Sequence, residues 1–148
     1  ENLDATILDE HYQVNMRTTF LLSVEFARRL KEAGMQGGRI INLTSGQDLG
    51  PMPGELAYAA TKGAVTAFTK TLSAELAHED ITVNAVNPGP TDSTWMDEGI
   101  REHLLPKFPM GRIGQPTDAA KLIGFLASEE AGWITGQVIH SEGGFLRG

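Results

Sequence analysis

The sequence has 148 residues, of which 41% are apolar and 21% are charged, a composition that supports one folded domain with its own core. Its 19 acidic residues outnumber its 12 basic residues, which gives a formal net charge of −7. This charge excludes nucleic-acid binding as a main function, because proteins that bind phosphate backbones concentrate Lys and Arg. The absence of cysteine excludes disulfides, thiolate metal sites and a cysteine nucleophile.

Targeting signals are not evident in the sequence. No apolar run approaches the roughly 20 residues that cross a bilayer, so no membrane partner is expected. The opening residues ENLDATILDE are acidic and lack the basic and then apolar pattern of a signal peptide, which predicts a soluble, cytoplasmic protein. No metal site is predicted, because no metal-ligand spacing occurs among the four histidines, His11, His78, His103 and His140.

The first part of the chain predicts a helix, a strand and a loop. Apolar residues recur at spacings of three and four between Leu8 and Ala33, as on the buried face of an amphipathic helix. The segment Arg39–Leu43 is short, rich in β-branched residues and bounded by turns, which is typical of a buried parallel strand. A loop rich in glycine and proline is predicted from Thr44 to Gly54.

The rest of the chain continues the alternation of helices and strands. The predicted elements are a helix Leu56–His78, a strand Ile81–Val86, an irregular segment Thr91–Gln115 with a short helix near Trp95–Leu105, a helix Pro116–Ser128 and a strand Gln137–His140. Such alternation predicts the α/β class, with three parallel strands, right-handed crossovers and helices on both faces of one domain, residues 1–148. The length and the glycine and proline content of 91–115 favour a binding loop.

Three residues in this arrangement can carry acid–base chemistry. Tyr58 and Lys62 stand four apart near the start of a predicted helix, so both side chains lie on one face. A nearby ammonium group favours the phenolate form of a tyrosine, which makes proton transfer more accessible. Ser45 follows the first strand, at the sheet edge where open α/β sheets bind ligands. Taken alone, however, a Tyr-x-x-x-Lys pair is also common on helix surfaces.

The surrounding motifs resemble the classical short-chain dehydrogenase/reductase family, and most closely its 3-oxoacyl-(acyl carrier protein) reductase-like members. The matching stretches, in chain order, are HYQVN ending at Asn15, the strand 39–43 running into Thr44 and Ser45, YAATKGA at 58–64, VNAVNPGP at 83–90 and EGG at 142–144. They cover nearly the whole chain in the family's order and spacing.

The resemblance implies an NAD(P)-dependent oxidoreductase that interconverts a carbonyl and a secondary alcohol. Tyr58 would be the general acid in reduction and the base in oxidation, and Ser45 would orient and polarise the carbonyl. Lys62 would stabilise the Tyr58 phenolate and hydrogen-bond the nicotinamide ribose. Asn15 would hold a water in a proton relay behind Lys62.

The resemblance also implies contacts to the cofactor and the substrate. Pro88 and Gly89 would border the nicotinamide, and Ser93 matches by spacing the hydroxyl that binds the carboxamide, although it could also be an ordinary loop serine. The substrate would be a small molecule with a hydrophobic or acyl-thioester carbonyl. Apolar side chains that could cover it, or could simply be packed, are Trp95, Met96, Leu104, Leu105 and Phe108.

The sequence departs from the family in having no Gly-x-x-x-Gly-x-Gly phosphate loop. We therefore expect the C-terminal half of a Rossmann-like doubly wound sheet, with the N-terminal dinucleotide-binding half and the determinant of NAD or NADP preference missing. The first strand should then have an unpaired apolar edge. A chain of this kind would carry the chemistry of a reductase and be inactive alone.

Two other functions remain open at this level. A sugar-nucleotide epimerase or dehydratase also uses Tyr-x-x-x-Lys, but the short region after the last strand disfavours it. The chain could instead be a half-domain that acts only as an assembly module. In the family, the helices corresponding to 8–33 and 56–78 pack against their equivalents, which predicts a homodimer or homotetramer.

Overall fold

The computed structural model describes residues 3–147, so the first two residues and the last residue of the predicted domain 1–148 lie outside it. Within the described residues the helices are α1 Ala5–His11, α2 Thr18–Glu32, α3 Leu56–Leu76, α4 Glu98–Leu104 and α5 Pro116–Leu126. The strands are β1 Gly38–Leu43, β2 Ile81–Asn87 and β3 Val138–His140. Short 3-10 turns follow β1, α3, α4 and α5. All predicted elements are present, with ends shifted by at most three residues.

The strands form one parallel sheet in the order β1-β2-β3. Gly38 pairs with Ile81 at one end of the β1–β2 ladder and Leu43 pairs with Val86 at the other. Every residue of β2 is buried, because this strand lies in the centre of the sheet. In the described part of the chain β1 pairs only with β2, and Leu43 is 50% exposed, so β1 is the apolar edge strand that the sequence predicts.

Helices cover both faces of this sheet, which confirms the predicted α/β architecture. Helices α2 and α3 pack on one face, and the buried residues there are Ala27, Ile40, Leu72, Ile81 and Val83. Helix α5 packs on the other face, and the buried residues there are Val86, Ala119, Leu126 and Ala131. Burying a side chain such as Leu126 stabilises the fold by roughly 1.5–3 kcal/mol.

The first predicted helix differs from a single α-helix over 8–33. Between α1 and α2, the segment Tyr12–Arg17 forms a π-helical turn. The hydroxyl of Thr18 donates to the carbonyl oxygen of Gln13 at 2.9 Å, and the backbone N–H of Thr18 bonds to the same oxygen, five residues back. Such turns occur often at functional sites, and this one contains Asn15.

The described residues contain no helix that is both long enough and apolar enough to cross a membrane.

Candidate active site

The carboxyl ends of β1 and β2 meet the start of α3 at one cavity. Parallel strands place their carboxyl ends at the same edge, so the residues after β1 and after β2 lie close together. The cavity has a volume of about 440 Å³. Its lining includes Ser45, Tyr58, Gly89, Trp95, Phe145 and Arg147.

Tyr58 lies in the first turn of α3 and is half-buried. The ammonium group of Lys62 is 5.7 Å from the centre of the Tyr58 ring and donates to the carbonyl oxygen of Leu43 at 3.0 Å. Burial lowers the pKa of Lys62, because removing the ammonium group from water disfavours its charged form. The structure therefore places a cation beside the phenol, anchored on the end of β1.

Asn15 reaches α3 from the π-helical turn. Its Nδ2 atom donates to Thr61 Oγ1 at 3.4 Å, and the Thr61 hydroxyl donates to the carbonyl oxygen of Tyr58 at 2.9 Å. The same Nδ2 atom is 3.2 Å from His11 Nδ1. Asn15 is thus attached to the turn of α3 that lies between Tyr58 and Lys62.

His11 lies next to the site, although the sequence predicts for it only a place on the surface or in the core. Its ring lies edge-on to Tyr58, with 6.2 Å between the ring centres. A lone histidine without ligand spacing carries no sequence signal for this position. The described residues contain no group of three or more His, Cys, Asp or Glu that could hold a metal ion.

The turn after β2 has the shape that the Pro-Gly motif requires. Gly89 has φ of +63°, in the left-handed region that side-chain-bearing residues rarely adopt. Its backbone N–H donates to Asn87 Oδ1 at 2.9 Å. The hydroxyl of Thr91 lies 3.3 Å from the carbonyl oxygen of Pro88 and 3.2 Å from that of Gly89. Pro88 and Gly89 therefore form a tight turn, and Gly89 lines the cavity.

Ser93 is exposed and does not line this cavity. Its backbone N–H donates to the carbonyl oxygen of Thr91 at 3.0 Å. Thr91 is the hydroxyl residue that the structure places directly on the Pro88–Gly89 turn. Thr91 does not line the cavity either, and its hydroxyl is bonded to the carbonyl oxygens of the turn itself.

Of the apolar residues predicted to cover the substrate, only Trp95 lines the cavity. Trp95 lines the cavity and its Nε1 donates to the carbonyl oxygen of Thr91 at 2.7 Å. Met96 and Phe108 are only 3% and 4% exposed and do not line this cavity, so packing is their role in the structure. Leu104 ends α4 and Leu105 begins the following turn, away from the lining residues.

The residues at this edge fit the nicotinamide end of a dinucleotide. A phenol, an ammonium group and a serine hydroxyl supply hydrogen-bonding groups, and Gly89 presents a backbone without Cβ. The sequence offers no glycine-rich loop for a pyrophosphate. These residues could therefore hold the nicotinamide end of such a cofactor but not its pyrophosphate.

Sequence comparisons identify relatives of this chain. Residues 1–146 match the family described as enoyl-(acyl carrier protein) reductase. The oxidoreductase YjdA of Bacillus subtilis is 74% identical over 147 residues, covering 99% of this chain and 59% of that protein. The 3-oxoacyl-[acyl-carrier-protein] reductase FabG of Rickettsia felis is 40% identical over 141 residues, covering 93% of this chain and 58% of that protein. The chain therefore spans less than two thirds of the length of these relatives.

Solved structures of oxidoreductases are also similar to this chain, and the chain again covers only part of each. A 3-oxoacyl-[acyl-carrier protein] reductase from Brucella melitensis with bound NAD superposes with a TM-score of 0.88 at 30% identity, covering 99% of this chain and 55% of that one. ElxO, in a Y152F variant with bound NADPH, superposes with a TM-score of 0.83 at 27% identity, covering 97% and 59%. With a family match over almost its whole length and this fold, the chain belongs to the short-chain dehydrogenase/reductase family of oxidoreductases.

Proposed function

We propose that this chain carries the acid–base part of an NAD(P)-dependent oxidoreductase that interconverts a carbonyl and a secondary alcohol. One observation supports this most strongly. Ser45, Tyr58 and Gly89 line one cavity, with the Lys62 ammonium group beside the phenol. Hydroxyl donors and a backbone turn at the carboxyl edge of a parallel sheet are what a flat, reducible ligand needs.

The proton steps follow from the groups present. In reduction the Tyr58 hydroxyl gives its proton to the carbonyl oxygen, and the Ser45 hydroxyl donates a hydrogen bond to the same oxygen. When bound, the nicotinamide supplies or accepts the hydride. In oxidation Tyr58 accepts the hydroxyl proton of the alcohol.

Lys62 and Asn15 form the inner part of the proposed relay. The Lys62 ammonium group stabilises the phenolate left on Tyr58 after proton transfer. Asn15, bonded to Thr61 between these two residues, holds a water that returns a proton toward Lys62. The residues proposed to hold the nicotinamide and its ribose are Tyr58, Lys62, Pro88 and Gly89, with either NAD or NADP as the cofactor. Ser93 is proposed as a further contact from its spacing after the Pro-Gly motif, since its side chain lies outside the cavity.

The substrate proposed is a small molecule with a hydrophobic or acyl-thioester carbonyl. Trp95 and Phe145 add apolar surface to the lining of the cavity that also contains the hydroxyl donors. The similarity to 3-oxoacyl reductases supports an acyl-thioester. Because the chain has no phosphate loop and spans 59% of its B. subtilis relative, we propose that these 148 residues alone do not turn over substrate.

Two measurements test this function. The 148-residue chain is first titrated with NADPH and NADH while its tryptophan fluorescence is followed, and weak or no binding is expected. Joined to a family nucleotide-binding half, the chain should then reduce a 3-oxoacyl thioester, and Tyr58→Phe should abolish turnover by at least ~100-fold, the usual contribution of a general acid. Tyr12→Phe, at the other tyrosine of the chain, is the matched control and should keep full activity. Retained turnover in Tyr58→Phe would contradict the assignment.

A second candidate, an assembly module, is supported by one surface feature. Helix α2 exposes Leu21, Leu22 and Val24, which are 54%, 65% and 49% accessible. Exposed apolar side chains that are clustered on one element are typical of a protein interface. We propose homodimer or homotetramer formation through α2 and α3, which sedimentation of the chain and of Leu22→Glu would test: the variant should sediment as a smaller species.

A further inference from the structure

A shielded ion pair joins the C-terminal segment to the candidate active site. Arg147 donates to Glu142 through Nη1 and Nη2, with N···O distances of 2.7 and 2.5 Å. The two side chains are only 20% and 11% exposed. A bidentate pair of this kind is held more rigidly than an ordinary surface ion pair, because two parallel bonds fix both planes.

The Glu142 carboxylate is also bonded to the end of β2. Asn87 Nδ2 donates to Glu142 Oε2 at 2.9 Å, while Asn87 Oδ1 accepts the backbone N–H of Gly89 at 2.9 Å. Asn87 is fully buried, so no water can replace these bonds without opening the structure. The turn that contains Gly89 is therefore tied, through Asn87, to the ion pair.

Two glycines allow the ion pair to lie against both loops of the site. A methyl group at Gly46 would overlap the Arg147 guanidinium, and a methyl group at Gly89 would overlap Cβ of Glu142. Gly46 directly follows Ser45. The pair therefore contacts, at its two ends, the loop with the carbonyl-polarising hydroxyl and the turn proposed to border the nicotinamide.

We propose that Glu142 and Arg147 are positioning residues that fix the Pro88–Gly89 turn relative to Ser45. The inference rests on the proposed function, since the separation of these loops sets the distance between hydride donor and polarised carbonyl. Alignment of reacting groups is worth several orders of magnitude in rate, and a displacement of about 1 Å costs roughly 100-fold. Neither residue touches the reacting atoms in this mechanism.

The charge on Glu142 is central to this arrangement. The hydrogen bonds from Arg147 lower the pKa of Glu142, with smaller contributions in the same direction from Asn87 and from His140, while burial opposes them. His140 on β3 has its Nδ1 atom 3.0 Å from Asn87 Nδ2. Glu142 also lines a second cavity of about 250 Å³, whose other charged groups are Arg112, Asp118, Lys121 and His140.

The first test needs neither cofactor nor activity. In the 148-residue chain, NMR should show the Gly89 amide signal titrating with Glu142, with a midpoint below the ordinary value of 4.5. Arg147→Met should raise this midpoint above that of the parent. Arg147→Lys keeps a cation, so its midpoint should lie between those of the parent and of Arg147→Met. Glu142→Gln should remove the titration and speed Gly89 amide exchange at least tenfold, while the amides of Val83 and Ala85 in β2 stay protected.

A second ion-paired arginine serves as the control for this test. Arg101→Met, which removes another ion-paired arginine with N···O distances of 2.8 and 3.3 Å, should leave Gly89 unchanged. A Gly89 amide that does not titrate in the unsubstituted chain overturns the proposal, and this result is available even if every variant fails to fold.

The second test uses the active form, the chain joined to a nucleotide-binding half. Arg147→Lys should lower kcat at least tenfold with little change in the substrate KM, because the loops are misaligned and the pocket remains. An unchanged kcat together with a mobilised Gly89 overturns the positioning role. Absence of turnover in the unsubstituted fusion counts against the reductase proposal instead, and the NMR result stands independently of it.

Discussion

Lys62 donates a hydrogen bond from its ammonium group to the carbonyl oxygen of Leu43 at 3.0 Å, which attaches α3 to the last residue of β1. The same atom lies 5.7 Å from the centre of the Tyr58 ring. Among the described residues Lys62 has no carboxylate partner within ion-pair distance, so the strand backbone sets its position. A backbone carbonyl leaves the positive charge of Lys62 free to act on the phenol.

Replacing Lys62 should therefore lower turnover in the chain joined to a nucleotide-binding half. Lys62→Met removes the cation beside the Tyr58 ring and the hydrogen bond to Leu43, so kcat should fall at least ~100-fold, the usual contribution of an acid–base group. Lys62→Arg keeps a cation and should retain more of the activity than Lys62→Met. Equal kcat values for Lys62→Met and the parent would contradict this role of Lys62.

The order of elements could be predicted from the sequence because each one has a clear local pattern. Spacings of three and four mark α2, and a short β-branched run marks β1. The π-helical turn at Tyr12–Arg17 could not be predicted in this way. Its bonds come from a threonine hydroxyl and a backbone shift rather than from a pattern of apolar residues.

Some residues of the candidate site could be predicted from local sequence patterns and others could not. Tyr58, Lys62 and Ser45 are predictable because helix spacing and a strand end place them. Arg147 carries no such signal, since it reaches the cavity only through contacts among the segments that follow all three strands. Trp95 and Met96 are neighbours in sequence, yet one lines the cavity and the other is in the core, because irregular backbone after Pro90 orients them.

Leu126 should be the costliest single apolar truncation on the α5 face. Its side chain is fully buried between α5 and the sheet, so Leu126→Ala leaves a cavity and should lower the free energy of unfolding by about 2–5 kcal/mol. Urea unfolding followed by circular dichroism measures this loss. Phe125→Ala, at a neighbouring residue that is 46% exposed, is the control and should lose clearly less. Equal losses at the two positions would show that α5 packs differently.

Acid should weaken the start of α5 through Asp118. Its carboxylate accepts from Arg112 at 2.7 and 2.8 Å and from the backbone N–H of Gln115 at 2.8 Å, and these bonds hold the pKa of Asp118 below its ordinary value of 3.8. A pKa lower in the folded than in the unfolded state stabilises the fold above the unfolded value, and this contribution is lost as the pH falls below it.

Thermal unfolding of the parent and of Asp118→Asn across pH tests this expectation. The variant should have a lower Tm at neutral pH, and the difference should shrink as the pH falls below 3.8, because Asp118 is then protonated in the unfolded parent but still charged in the folded parent. Arg112→Met should show a similar convergence. A Tm difference that is constant from neutral pH to acid would mean that Asp118 acts through shape rather than charge.

Gly89 should tolerate a side chain less well than another glycine with the same kind of backbone. Gly89 and Gly54 have φ of +63° and +88°, so alanine at either position costs about 1–3 kcal/mol of backbone strain. At Gly54 the added methyl group has no atom within 4 Å, whereas at Gly89 it would overlap Glu142. Urea unfolding of both variants should therefore show a loss for Gly89→Ala that exceeds that of Gly54→Ala by about 1–3 kcal/mol, the usual cost of overpacking. Equal losses would mean that Glu142 can move aside freely, and the contact between the ion pair and the Pro88–Gly89 turn would then be too soft to hold that turn in place.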